Sequence, residues 1–154
     1  MQKNILLVCW SKELRNGKPN PKNPPIKWWE DLVFLLKEKN LNFILKQIGY
    51  GDEKKILNID EYLWDKNIFD LVTEIKNCYT WISVDTYFQH WAWYLNKPGI
   101  VIWSQSDPEI FGHVENINLL KDKKYLRDNQ FDLWENAEYN EDAFIDVKEV
   151  LNFL

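Results

Sequence analysis

Apolar residues along this chain come in two rhythms, and their alternation sets out the fold. Short, nearly continuous apolar runs recur at Asn4–Trp10, Leu41–Gln47, Thr80–Val84 and Gly99–Trp103. Such runs predict strands covered on both faces, as in a parallel sheet. Between them the apolar positions fall at helical spacing. Trp29, Leu32, Val33, Leu35 and Leu36 predict a helix over Trp28–Lys39. Ile68, Leu71, Val72 and Ile75 predict another over Asn67–Asn77, with Asn67 as N-cap. A third is expected from Asp85 to Leu95, directly after the Thr80–Val84 strand. Ser11–Lys27 reads as a loop, because Gly17, Pro19, Pro21, Pro24 and Pro25 break any regular structure. Gly49-Tyr50-Gly51-Asp52 ends the second strand. Glu53–Trp64 reads as one helical turn leading into a short strand, and Asn116–Leu119 as a last strand. Asp146 and Glu149 have capping-box spacing and predict a closing helix over Asp146–Leu154. Lys121–Tyr139 is polar with scattered aromatics and follows neither rhythm.

Strands alternating with helices predict an α/β protein: a single Rossmann-like, doubly wound parallel sheet with a C-terminal helix. At 154 residues the chain is too short for two domains of ordinary size. We therefore expect one domain over 1–154, with a core at 4–120 and a C-terminal extension at 121–154.

Composition narrows the chemistry. A net charge of −5 argues against bulk binding to nucleic acid or an anionic membrane surface. It leaves room for a small anion held by a few local cations and helix N-termini. The 9 Trp, 7 Tyr and 8 Phe must be buried for the most part, or supply stacking surfaces for a ligand. Cys9 and Cys78 lack metal or redox spacing and read as reduced structural residues. No apolar run approaches the ~20 residues of a membrane span, and the start is too short for a signal peptide. The expected location is the cytoplasm. No P-loop, zinc-ligand cluster or nucleophile elbow is present, and no metal or cofactor is expected.

The informative stretch is Trp81–Gly112. A buried strand ends at Asp85-Thr86 and a helix opens there, which in open α/β sheets is where ligands collect. The Thr86 hydroxyl and the following amides could hold a phosphate oxygen. His90, one turn on, would face the same anion. Each residue also has a plainer reading: Asp85 or Thr86 as a helix cap, His90 as a packed helix histidine. Most of Trp81, Trp91, Trp93 and Trp103 read as core, since Trp91 and Trp93 point to different sides of their helix and only one can face a cleft, and His113 reads as a surface or turn residue.

The same stretch resembles the signature of glycosyltransferase family 9, the lipopolysaccharide heptosyltransferases, approximately V-D-[ST]-G-x-x-H-x-A, K/R-P, a strand and G-x-T-D-P. Val84, Asp85, Thr86, His90 and Ala92 match the first part, Lys97-Pro98 the link, and Ser106-Asp107-Pro108 the last turn, without a gap. Tyr87 and Ser104 stand where the family has glycines. The resemblance implies the C-terminal, donor-binding half of a GT-B fold. It implies diphosphate contacts from Lys22, Asp85, Thr86, Tyr87 and His90. Lys22 has the family's spacing to the tryptophan of the first helix, although it also fits a solvated position in a lysine-rich loop. The resemblance further places Glu53 near the ribose, and Lys66 and Asn67 near the base. The expected ligand is a nucleotide-sugar, with an ADP-linked one among the candidates, bound as substrate or ligand without a metal. The acceptor half is absent from the match, so transfer would need a homodimer or a partner chain, and no catalytic base is assigned. The alternative is a non-catalytic protein that captures nucleotide-sugars or ADP-ribose-like nucleotides.

Overall fold

The computed structural model describes residues 1–40 and 42–154. Six parallel strands form one sheet: β1 (Lys3–Val8), β2 (Phe43–Gly49), β3 (Glu61–Trp64), β4 (Thr80–Val84), β5 (Ile100–Ile102) and β6 (Ile117–Leu119), in the order β3-β2-β1-β4-β5-β6. This is the doubly wound order, in which the chain leaves β1 toward one edge and returns at β4 toward the other. The crevice between those two directions opens at the carboxyl ends of β1 and β4.

Both faces of the sheet are covered, so the middle strands are largely apolar on both sides. Ile5, Leu7, Leu45, Ile82, Val84, Ile100 and Ile102 pack on one side under α1 (Ile26–Lys39), whose Trp29, Leu32, Val33 and Leu36 are buried. Leu6, Val8, Ile48, Trp81, Val101 and Trp103 pack on the other. There they meet Ile75 of α2 (Val72–Asn77) and Phe88 and Ala92 of α3 (Tyr87–Tyr94). The switch of face at every residue is the period-two geometry of a strand buried twice. Gly99 permits one close approach, since a Cβ there would stand 2.3 Å from the Trp81 ring.

Several expected boundaries move. The first strand stops at Val8, and α1 starts two residues early at Ile26. The second strand begins at Phe43 and runs on to Gly49; its expected first residue, Leu41, lies outside the described residues. The helical turn expected after Glu53 does not form. The buried Gln47 side chain instead donates to the Lys54 carbonyl and accepts from the Ile56 amide, which holds this stretch as irregular chain. Asn67 does not cap a helix over 67–77. It accepts from the Asp70 amide at 2.9 Å and closes a turn, and α2 begins only at Val72. Asp85 and Thr86 precede α3 rather than belonging to it.

After α4 (Pro108–Phe111) and β6 the chain runs irregularly through short 3-10 turns at Lys123–Tyr125, Trp134–Asn136 and Glu141–Ala143. The closing helix is one turn, α5 (Val147–Val150), followed by a 3-10 turn at Leu151–Phe153. Asp146 caps α5 by accepting from the Lys148 amide, and Val150 is buried against the α1 side of the core. Cys9 and Cys78 are free and buried. No helix among the described residues is long and apolar enough to cross a membrane.

Candidate functional site

The site lies at the carboxyl ends of β1, β2 and β4, where two very different connections meet. The connection after β4 is short. Val84 is fully buried, Asp85 follows almost buried, and Thr86 takes the N-cap position of α3. The Thr86 hydroxyl makes no capping hydrogen bond to the helix. The first-turn amides of α3 thus carry the partial positive charge of a helix N-terminus toward the crevice.

The connection after β1 is long, running from Cys9 to Pro25, and is held by side chains that grip backbone. Asn23 accepts from the Ser11 amide at 2.7 Å and donates back to the Ser11 carbonyl at 3.2 Å. Asn20 donates to the Lys12 carbonyl and accepts from the Lys22 amide. Two serines tie the loop to the sheet: Ser11 Oγ donates to the Asp85 carbonyl, and Ser104 Oγ donates to the Pro21 carbonyl. The loop is irregular but fixed, because its buried polar groups are paired with one another.

This anchoring brings Lys22 to Asp85. Lys22 Nζ lies 3.0 Å from Asp85 Oδ2, with side chains only 21% and 11% exposed. The other carboxylate oxygen, Asp85 Oδ1, accepts from Gln89 Nε2 at 2.8 Å. Asp85 thus has both oxygens engaged, whereas the Lys22 ammonium has three N–H groups and one carboxylate partner. Two unlike charges this close in a poorly solvated place interact strongly, and neither is easily removed alone.

Three adjoining recesses open here. Lys22, Asp85 and Thr86 line one of about 580 Å³, together with Ser11, Asn20 and Trp134. A second, of about 720 Å³, lies between the proline loop and the end of β2, against Trp10, Tyr50, Asp52 and Glu53. A smaller one joins Thr86 and Tyr87 to Tyr50 and Glu53. Lys12 borders all three.

Tyr87 leans toward β2: its hydroxyl shares a 2.7 Å hydrogen bond with that of Tyr50. Burial and this bond push its pKa well above the ordinary tyrosine value. The ring therefore walls the small recess and does not border the one that holds Lys22. Glu53 accepts from the Tyr50 amide at 2.7 Å, and burial raises its pKa. His90 sits one turn along α3, exposed, with Nδ1 2.8 Å from His113 Nε2. Its pKa is lowered by the partial loss of water around an otherwise exposed ring and by His113, and the charges of Asp85 and Lys22 reach it with opposite signs. A neutral His90 offers Nε2–H as a donor when Nδ1 accepts from His113. Trp93 stacks on His113, with ring centroids 4.6 Å apart. Lys66 and Asn67 are exposed beyond β3 and border none of the three recesses.

The structure thus gathers Lys22, Asp85, Thr86, Tyr87 and Glu53 around one crevice, sets His90 beside it, and leaves Lys66 and Asn67 outside. It adds residues that the sequence did not single out. Gln89 carries a legible signal, since it stands four residues after Asp85, on the side from which it can reach back. Ser11, Lys12 and Asn23 have none, because their role depends on how the loop folds over β4.

No family model matches the sequence, and no curated protein matches it. Solved structures do match. Heptosyltransferase II of E. coli, an ADP-heptose lipopolysaccharide heptosyltransferase, superposes with a TM-score of 0.71 at 15% identity, over 98% of this chain and 45% of that one. The E. coli heptosyltransferase WaaC, solved with ADP, gives 0.68 at 15% identity, over 99% and 43%. The dodecameric iron-containing heptosyltransferase TibC, solved with ADP-D-β-D-heptose, gives 0.61 at 14% identity, over 96% and 36%. The chain spans less than half the length of each. The resemblance read in the sequence is thereby borne out at the level of the fold: this chain has the Rossmann-like architecture of one half of a heptosyltransferase of the GT-B type.

Proposed function

We propose that the crevice over β1, β2 and β4 binds the diphosphate of a nucleotide-sugar, and that the chain is the donor-holding half of a heptosyltransferase-like glycosyltransferase. The observation that carries this reading is the nearly buried Lys22–Asp85 pair beside the uncapped start of α3.

The roles divide by charge. A carboxylate beside a diphosphate would repel it, so Asp85 is the anchor that aims Lys22 and not itself a phosphate ligand. The ammonium keeps N–H groups to offer, and the Thr86 hydroxyl and the first amides of α3 complete an anion cradle. Lys12, at the rim of all three recesses, adds a second cation. In glycosyl transfer these groups neutralise the charge that develops on the departing nucleoside diphosphate, the electrostatic role a metal plays elsewhere. Glu53, bordering the adjoining recess, suits a ribose hydroxyl.

The solved neighbours include one bound to ADP and one bound to an ADP-heptose, so an ADP-linked sugar is the first ligand to try. Deprotonation of the acceptor hydroxyl needs a base, which we assign to a second half supplied by further chain, a partner or a second copy. A thermal-shift screen with ADP-, UDP- and GDP-sugars, followed by an assay for released diphosphate, tests the reading. A raised melting temperature with one donor class is expected. No shift with any donor, against a folded control, contradicts it.

A further inference from the structure

The C-terminal extension borders the anion site, and one of its side chains touches the residue that matters most there. Trp134 lines the same recess as Lys22, Asp85 and Thr86. The Lys22 ammonium stands 5.2 Å from the centre of its ring, within cation–π range. The Arg127 guanidinium lies over the same ring at 3.6 Å.

This contact is braced rather than incidental. Arg127 donates to the Gln130 carbonyl, and its own amide donates to the Gln105 carbonyl, just after β5. Gln130 donates to the carbonyls of Gln105 and Arg127 and accepts from the Asp107 amide. On its other side the 3-10 turn at Trp134–Asn136 is tied to the proline loop, where the Arg15 amide donates to Glu135. A chain of contacts therefore runs from the turn after β5, through Gln130, Arg127 and Trp134, to Lys22 and Asp85. It recruits residues that sequence periodicity leaves without a place.

We infer that Trp134 is a positioning residue for the anion site: its ring holds the Lys22 ammonium at the mouth of the crevice, making the extension a wall of the ligand site. Asp85 fixes Lys22 from the sheet side, and Trp134 limits where the ammonium can swing from the extension side. A lysine stem has several rotatable bonds, and confining it before the ligand arrives lowers the ordering cost of binding. The inference rests on the diphosphate reading of the crevice.

The test is calorimetric titration of the full chain with ADP, in a double-mutant cycle between Trp134→Ala and Lys22→Ala, with Trp134→Phe as the conservative variant. Confining one lysine side chain before the ligand arrives predicts a loss of about fivefold in affinity for Trp134→Ala. Near-native affinity is expected for Trp134→Phe, and no further loss for Trp134→Ala once Lys22 is gone. Undiminished binding by Trp134→Ala, or equal losses with and without Lys22, overturns the inference while leaving the diphosphate reading intact. If the unmodified chain fails to bind ADP, the diphosphate reading fails, and the ligand-free Lys22 side chain decides the contact itself. Its ε-methylene proton signals, assigned with Lys22→Arg, should be displaced upfield by the ring and lose that displacement in Trp134→Ala. Signals unmoved by the substitution overturn it.

Discussion

The two connections that build the crevice solve one problem in opposite ways. After β4 the chain passes from strand to helix through Asp85 and Thr86 alone, so position is set by the strand register and by the first turn of α3. After β1 it wanders through a proline-rich loop before α1, and position is set by side chains gripping backbone: Ser11, Asn20 and Asn23. In the proposed diphosphate site the short connection would supply the cradle, and the long one the cation. Local geometry can fix an anion-binding helix start, whereas delivering a charge from a distant stretch of chain requires a loop with its own buried polar framework.

The largest effect is expected from breaking the point where the two connections meet. Asp85→Ala leaves Lys22 without its carboxylate and Gln89 without its acceptor. A cost of about 3 kcal/mol in stability is expected in urea titration, the scale for removing one partner of a poorly solvated pair. A loss under 1 kcal/mol would show the two connections to be independent.

Lys22→Ala should be milder for the fold and severe for the ligand. We expect at least a tenfold loss of affinity for ADP, about 1.4 kcal/mol or more of charge-assisted hydrogen bonding, and little change for adenosine. Calorimetry with both ligands checks this, and equal losses for the two would contradict the diphosphate role.

Ser11→Ala removes the hydroxyl that ties the long loop to the Asp85 carbonyl. About 1 kcal/mol of stability should be lost, and ADP affinity should fall alongside it, because the loop carries Lys22. A stability loss with unchanged affinity would mean that the loop holds Lys22 without this tie.

The smallest expected effect is the pH response of His90. Its folded pKa lies below the ordinary value of 6.5, so the fold binds fewer protons there than the unfolded chain. Its contribution to stability is then full above about pH 6.5 and is lost as pH falls toward the folded pKa. The melting temperature of His90→Gln should decline less than that of the native chain between pH 7 and pH 5. Parallel declines would remove the imidazole from the account.

The same contrast explains what the sequence reveals. Thr80–Val84, the Asp85-Thr86 junction and the α1 face are legible because strand, cap and helix are consecutive, and periodicity reports burial directly. From these the alternation of strands and helices and the place of the crevice follow. Within Glu53–Trp64 the short strand is read correctly, as β3, whereas the helical turn before it is misread because Gln47, a polar residue buried within β2, captures the backbone of the following segment. Asn67 carries a cap signal that is spent on a turn five residues before α2 begins. The meeting of Lys22 with Asp85 is not local, and only the family spacing points to it. Trp134 is less legible still, since nothing in the polar stretch around it marks which aromatic turns inward.

The most direct test of the crevice is an amide NMR titration of the isotopically labelled chain with ADP. The account predicts that the largest shifts fall on Lys22, Thr86, Tyr87 and Phe88, with smaller ones at Ser11 and Trp134. Saturable shifts confined to the far side of the extension, around Lys124 and Asn140, with the start of α3 unmoved, would contradict it.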